Sequence, residues 1–225
     1  MFSRAESTGG ANLELWTLDV ERVDGEQFDS SVLDDDESRQ AASEPPARRL
    51  RYLIAHVALR QFLGEHLGVR PEEITYFREP CPVCGGPQGR PAVLRPPRPV
   101  HFSHSGAGDV VVIAIASAPV GIDVEALPRP EAVSEVMGLL HPEERAELTA
   151  VATAERSLAF ARLWTRKEAY LKGTGAGVAH GLAGEYLGVE GRAELPPGWS
   201  LRTVPVPPSY EASAALHSGP DHPGP

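Results

Sequence analysis

Apolar and polar residues alternate through Leu13-Glu14-Leu15-Trp16-Thr17-Leu18, which predicts a strand. An acidic, turn-rich stretch follows as far as Pro45-Pro46. From Ala47 the spacing changes. Leu50, Leu53, Ile54, Val57, Ala58, Phe62 and Leu63 recur at three and four, the pattern of one helix face, and Gly68 closes it. Arg48, Arg51 and Arg60 fall on its polar side. Ile74 to Phe77 reads as a short strand, and the Pro/Gly-rich residues 80–99 read as loop. Val100 to Phe102 predicts a strand that ends by entering Ser103-His104-Ser105-Gly106. Val110 to Ala116 is apolar without a break and rich in β-branched residues, as in a buried strand. Val120 to Glu125 predicts another. Pro142 opens a helix of about two turns, with Glu143 and Glu144 favourably placed at its start. Thr153 is expected to cap a longer helix through Leu158, Ala161, Leu163, Trp164, Tyr170 and Leu171, which Gly173 ends. Strands are expected over 201–206 and 210–216, and a disordered tail over 218–225. The order is strand, helix, strands, then strand, helices, strands. It predicts an α+β fold of two halves, 1–108 and 109–217, without a clear internal repeat.

A chain of 225 residues can bury a substantial core. No apolar run approaches the roughly 20 residues of a membrane span. Met1 to Glu6 lacks the basic start and apolar stretch of a signal peptide, so the expectation is a cytoplasmic enzyme with no membrane partner. The net charge of −10 resides mostly in residues 1–44, which hold twelve acids and three bases. The remainder is near neutral and shows no extended basic stripe, so nucleic acid is not an expected partner. Nineteen of the twenty-one basic residues are arginine; the two lysines are Lys167 and Lys172. Arginine cannot always replace lysine where a compact ammonium must meet phosphate or lie near a metal.

Asp123 and Glu125 lie two apart on a predicted strand, so both carboxylates leave one face while Ile122 and Val124 leave the other. Glu168 and Lys172 lie four apart and share a helix face. Each pair alone has an ordinary reading, as the wet face of a strand and as an exposed ion pair. Together, three carboxylates can hold one Mg²⁺, whose open positions take water or substrate phosphate, with a lysine to neutralise phosphate oxygen. There is no GxxxxGK[ST] phosphate loop. Ser103, His104 and Ser105 suit an anion contact better than a hydrolase triad, because no GxSxG is present. Cys81-Pro82-Val83-Cys84 is half of a zinc site at most, which His101 and His104 could complete. A plain loop, with a disulfide under oxidation, is the favoured reading.

These residues resemble the surfactin-synthetase-associated class of 4′-phosphopantetheinyl transferases. His101-Phe102-Ser103-His104-Ser105-Gly106 is similar to that family's SHS motif, and Val120 to Glu125 to its G-[IV]-D-[IV]-E motif. Trp164 to Lys172 is similar to its W-x-x-K-E-[AS]-x-x-K motif, and Gly89-Arg90-Pro91 to its GKP, with Arg for Lys. The resemblance implies a pseudo-twofold α+β monomer with coenzyme A in the cleft between its halves. It implies transfer of 4′-phosphopantetheine from coenzyme A to a serine of an acyl, polyketide or peptidyl carrier protein, in fatty-acid or antibiotic biosynthesis. Adenosine 3′,5′-bisphosphate would leave. Asp123, Glu125 and Glu168 would bind Mg²⁺, or Mn²⁺ in its place; Glu168 and Lys172 would be catalytic. Lys172, Ser103, His104, Arg39, Arg51 and Arg90 would contact coenzyme A, the last three as basic phosphate contacts. A Mg²⁺-dependent phosphodiester hydrolase using the same acids is the alternative.

Overall fold

The computed structural model describes residues 3–7, 12–23, 28–177, 181–189 and 195–218. Nine strands and five α-helices follow one another among these residues. They are β1 (Ser3–Ser7), β2 (Leu13–Asp19), α1 (Asp35–Ser43), α2 (Pro46–Leu67), β3 (Thr75–Arg78), β4 (Pro91–Arg95) and β5 (His101–Ala107). Then come β6 (Val110–Ala116), β7 (Val120–Ala126), α3 (Pro130–Val136), α4 (Pro142–Ala150), α5 (Thr153–Thr174), β8 (Trp199–Thr203) and β9 (Tyr210–His217). The mixture of helices with antiparallel sheets is the expected α+β class.

The strands form an antiparallel sheet in the order β1-β2-β6-β5, a second in the order β7-β9-β8, and a β3-β4 hairpin. The unbroken apolar run of β6 has a direct cause, because both of its faces are covered. Val111, Ile113 and Ile115 pack with Ile54, Ala58, Leu59 and Leu63 of α2. Val110, Val112, Ala114 and Ala116 pack with Ile122, Val124, Ala212 and Ala214 of the second sheet. The other side of the second sheet carries α5, whose Leu163, Ala169, Tyr170 and Leu171 share a cluster with Ala215. The layers therefore run α2, first sheet, second sheet, α5. Burial on both sides of each sheet supplies most of the driving force for the arrangement.

Several sequence expectations are corrected. The acidic stretch before Pro45 contains α1, nucleated by a capping box in which Asp34 accepts from the Asp36 and Glu37 amides while Glu37 reaches back to the Asp34 amide. Arg60 is not on a wet helix side but 1% exposed, because α1 covers it with acids. Its Nε meets Glu37 at 2.6 Å and its Nη2 meets Asp34 at 2.9 Å. Residues 91–95, read as loop, are β4, with proline at the strand's first position, where its missing N–H is tolerated. The strand begun near residue 100 does not stop before the Ser-His-Ser triplet. It continues to Ala107, because each of these residues pairs with one on β6. Helix α3 also went unread.

Thr153 is the first residue of α5 rather than its cap, and Ala152 makes no side-chain cap. Helix α5 runs past Gly173 to Thr174 and ends on Gly175, whose φ of 80° is open to glycine. Strand β8 begins two residues earlier than expected and ends at Thr203. Ser218 donates to the Gly198 carbonyl; positions 219–225 of the expected disordered tail lie outside the described residues. Among the described residues no helix is long and apolar enough to cross a membrane.

Candidate active site

Alternation along β7 sends Val120, Ile122 and Val124 into the core between the sheets. Gly121, Asp123 and Glu125 therefore face α5. Gly121 has to be glycine there, since a Cβ would overlap the Ala169 carbonyl and the Gly173 amide of α5. That close approach brings Lys172 onto Asp123. Lys172 Nζ donates to Asp123 Oδ1 at 2.6 Å and to Ser105 Oγ at 3.1 Å, and Ser105 Oγ donates to the same Oδ1 at 2.8 Å. Asp123 is 2% exposed. Its Oδ2 is buried and has no hydrogen-bond partner among the described residues. An orphaned carboxylate oxygen costs free energy unless something cationic or protic meets it.

Glu125 and Glu168 complete the cluster electrostatically. Burial, then the charges of Asp123 and Glu168, push the Glu125 carboxyl up to about 7, although Lys172 and a hydrogen bond from Trp164 oppose this. Burial and then Asp123 raise Glu168, again against Lys172 and Trp164. Asp123 is itself raised by burial, against Lys172 and Ser105. Three acids that disfavour one another's ionisation make a site that gains from an added cation. Among the described residues, no three His, Cys, Asp or Glu side chains converge into a ready-made ion cage. The donor set still suits Mg²⁺, which commonly takes one or two carboxylates and fills its octahedron with water and substrate phosphate. Asp123 Oδ2, buried without a hydrogen-bond partner among the described residues, is an oxygen that such an ion would satisfy.

Strand β5 carries the cluster on one side and a cleft on the other. Ser103 and Ser105 face β7, where Ser103 Oγ accepts the Ile122 amide at 3.1 Å. Ser103 thus joins the two sheets, and Ser105, expected with its neighbours as an anion contact, bonds to Asp123 and Lys172. His104 faces α2, in a cleft of about 300 Å³ lined by Arg48, Arg51, Tyr52, His56, His104 and Gly106, among others. Arg51 lies across Gly106 and donates to the Gly108 carbonyl at 3.0 Å. The His56 ring stacks on Tyr52 at 3.9 Å between centroids and meets His104 edge-on at 5.0 Å. Its Nδ1 lies 3.0 Å from Glu37 Oε1. Burial opposes ionisation of Glu37, but bonds from His56 and the Asp34 amide, with the Arg60 charge, hold its carboxyl below the usual range. Burial, followed by the neighbouring His56 and Lys172, pushes His104 down to about 3, so its ring is neutral near neutral pH. The influence of Lys172 on His104 also marks the cleft and the acid cluster as neighbours.

The other basic residues singled out from the sequence have different surroundings. Arg39 is exposed on α1 and paired with Asp36. Arg90 reaches Glu79 at 2.6 Å and the Gly173 carbonyl at 3.2 Å, tying the 79–90 loop to the end of α5. Lys167 is 1% exposed and serves the fold. It meets Glu144 Oε1 at 2.8 Å and donates to the Glu185 carbonyl. Arg166 and Glu147 grip the same 185–189 segment. Only one of the two lysines is therefore at the cluster.

A model of the 4′-phosphopantetheinyl transferase superfamily matches residues 119–190, the segment holding β7 and α5. The chain is 31% identical to the 4′-phosphopantetheinyl transferase psf-1 of Bacillus pumilus, over 64% of this chain and 59% of that protein. It is 28% identical to the 4′-phosphopantetheinyl transferase HetI of a Nostoc species, over 74% and 70% respectively. It is 35% identical to the 4′-phosphopantetheinyl transferase AcpT of Escherichia coli, over 61% and 63%. The matched regions thus span between 59 and 70% of these relatives' lengths.

Proposed function

From the premise that this chain belongs to the 4′-phosphopantetheinyl transferase superfamily, we propose that it transfers 4′-phosphopantetheine from coenzyme A to a serine of an acyl, polyketide or peptidyl carrier protein. The observation that carries the reading is the Asp123 constellation: one carboxylate oxygen held by Lys172 and Ser105, the other buried and free. Asp123 and Lys172 lie inside the segment that matches the family, and Ser105 comes from the strand before it.

Asp123, Glu125 and Glu168 would hold Mg²⁺. When bound, the ion neutralises and orients pyrophosphate oxygens. Lys172 would offer its ammonium to phosphate oxygen, where charge grows as the phosphorus–oxygen bond to adenosine bisphosphate breaks. The carrier serine oxygen forms the new bond to the β-phosphorus, and its proton passes to Glu168 directly or through water. A carboxyl raised by burial is better matched to that transfer than an exposed one. On the far side of β5, His104 and Arg51 would receive the 3′-phosphate end of coenzyme A, with Arg48 beside them. Neutral His104 can still donate one hydrogen bond to an anion. In this reading the cleft separates halves divided near residue 108, and the enzyme acts as a cytoplasmic monomer.

The test is intact-mass analysis of an apo carrier protein incubated with the protein, coenzyme A and Mg²⁺. One phosphopantetheine gained on the carrier serine is the expected result. An unmodified panel of acyl, polyketide and peptidyl carriers, with the protein folded, overturns the reading.

A further inference from the structure

The Cys81–Cys84 turn has no part in the chemistry above, yet it meets the segment just after the helix that carries Lys172. The chain has two cysteines in all, so every thiol reaction of the protein belongs to this turn. Both are free thiols; Cys81 is buried and Cys84 exposed. The turn is tightly closed. Gly85 N–H donates to the Cys81 carbonyl at 2.8 Å, and Cys81 N–H donates to the Gly86 carbonyl at 2.7 Å. The Val83 and Cys84 amides, with the Cys84 thiol, lower the Cys81 thiol from its usual range. The closed turn carries both thiols three residues apart on one short loop, and the surroundings of Cys81 favour its thiolate.

The same sulfur reaches across to α5. Cys81 Sγ lies 4.0 Å from the Ala176 carbonyl, just beyond the helix. Arg90, at the loop's other end, donates to Gly173, the residue after Lys172. The loop base is pinned to itself by the Glu79 amide to the Arg90 carbonyl at 3.1 Å and the Gly89 amide to the Glu79 carbonyl at 3.1 Å. The loop thus braces the end of α5 through bonds from Arg90 and Cys81.

We propose that Cys81 and Cys84 form a reversible dithiol–disulfide site, oxidised by small or protein disulfides, whose closure loosens the brace on α5 and slows the enzyme. The exposed Cys84 thiolate attacks the incoming disulfide RS–SR, forming Cys84–S–SR and releasing RS⁻. The Cys81 thiolate then attacks the Cys84 sulfur, forms the Cys81–Cys84 bond and expels the second RS⁻. Two electrons pass from the cysteine pair to the incoming disulfide, and the two thiol protons end on the released thiols or in solvent. Closing the bond removes the S–H that Cys81 offers to the Ala176 carbonyl. A structural zinc is the less favoured use of the pair. Zinc takes four ligands, and among the described residues no third joins these two.

The thiol chemistry stands apart from the transferase reading, whereas the slowing rests on it. The experiment treats the reduced full-length protein with oxidised glutathione and follows intact mass, free thiols and carrier modification. Expected are loss of both thiols together, a mass lower by two hydrogens with no glutathione retained, and severalfold slower transfer that dithiothreitol restores. Cys81→Ser is expected to keep one glutathione on Cys84, and Cys84→Ser to react much more slowly. Retained glutathione on the wild-type protein, a disulfide-linked dimer, or stoichiometric zinc that shields both thiols overturns the site. Equal rates for the two variants overturn the order of attack. A disulfide that leaves transfer unchanged overturns the control alone. If the reduced protein transfers nothing, it is the transferase reading that fails, and the mass data still judge the dithiol.

Discussion

Gly121 on β7 and Gly173 on α5 meet backbone to backbone, and neither has room for a side chain. A Cβ on Gly121 would enter the Ala169–Gly173 turn of the helix, and one on Gly173 would come within 2.6 Å of the Trp199 ring. The contact sets the distance at which Lys172 finds Asp123. Gly121→Ala must push strand and helix apart. Overpacking a site that cannot yield costs on the order of 2 kcal/mol or more. For a chain of this length that lowers Tm by about 4–8 °C. Thermal unfolding of the purified variant checks it, and the carrier assay should show transfer lost along with stability.

The two lysines predict opposite phenotypes. Lys172→Ala removes the cation at Asp123 and the expected phosphate contact. Turnover should fall about 100-fold or more, on the scale of losing one preorganised donor to developing charge. Lys172→Arg should not restore it, because a planar guanidinium does not fit where the ammonium meets both Asp123 and Ser105. Lys167→Ala strands the fully buried Glu144 without its partner. Breaking such a pair costs about 3–5 kcal/mol, so this variant should fail in denaturant titration. A variant that unfolds as the wild type does would show that the Lys167–Glu144 pair contributes little.

What could be read from the sequence follows from which surfaces are covered. The runs of β6 and β7 were legible because a strand buried on both faces is apolar throughout, and one facing a polar site alternates. The shared face of Asp123 and Glu125 followed from that alternation, and the Glu168–Lys172 face from helical spacing. Helix α1 was illegible because its buried residues are Glu37 and Ala41, and the acid is buried only because Arg60 comes from α2 to meet it. The same long-range pairing hid the burial of Arg60. The scarcity of lysine was informative about compact ammonium groups, but it could not tell a cation at a reaction site from one holding a loop. Ser105 was legible as a polar candidate, but not its bond to Asp123, although alternation puts it beside Ser103 on the side of β5 that faces Asp123.

Arg51 and Arg39 should separate in coenzyme A titrations. Arg51 is in the cleft beside His104. Removing a charge-assisted phosphate contact is worth about 1.5–3 kcal/mol, so Arg51→Ala should raise the KM for coenzyme A at least tenfold with a smaller change in kcat. Arg39→Ala removes an exposed pair with Asp36 and an exposed bond to the Asp35 carbonyl. It should leave both constants near wild type, since such pairs contribute little. Equal effects of the two substitutions would remove Arg51 from the proposed phosphate contact.

His104 gives a prediction in pH. Burial, followed by the neighbouring His56 and Lys172, lowers its folded value to about 3 from an ordinary 6.5. A depressed value means that the unfolded chain takes up this proton first. The stability contributed by keeping His104 neutral is therefore fully present above pH 6.5 and is lost progressively as pH falls toward about 3. Within that window the slope from this one group is about 1.4 kcal/mol per pH unit. The cluster acids act in the opposite sense, because Asp123, Glu125 and Glu168 are raised and favour the fold at lower pH. Total stability thus mixes the two signs, and the informative quantity is a difference. His104→Gln keeps a polar side chain and removes the titration. Urea midpoints of wild type and variant, measured between pH 4 and 7.5, should converge as the pH falls, because the wild type alone loses the His104 contribution. Curves that stay parallel across that range would mean that the imidazole takes its proton in the folded cleft at an ordinary pH, with Glu37 behind His56 supplying the compensating charge.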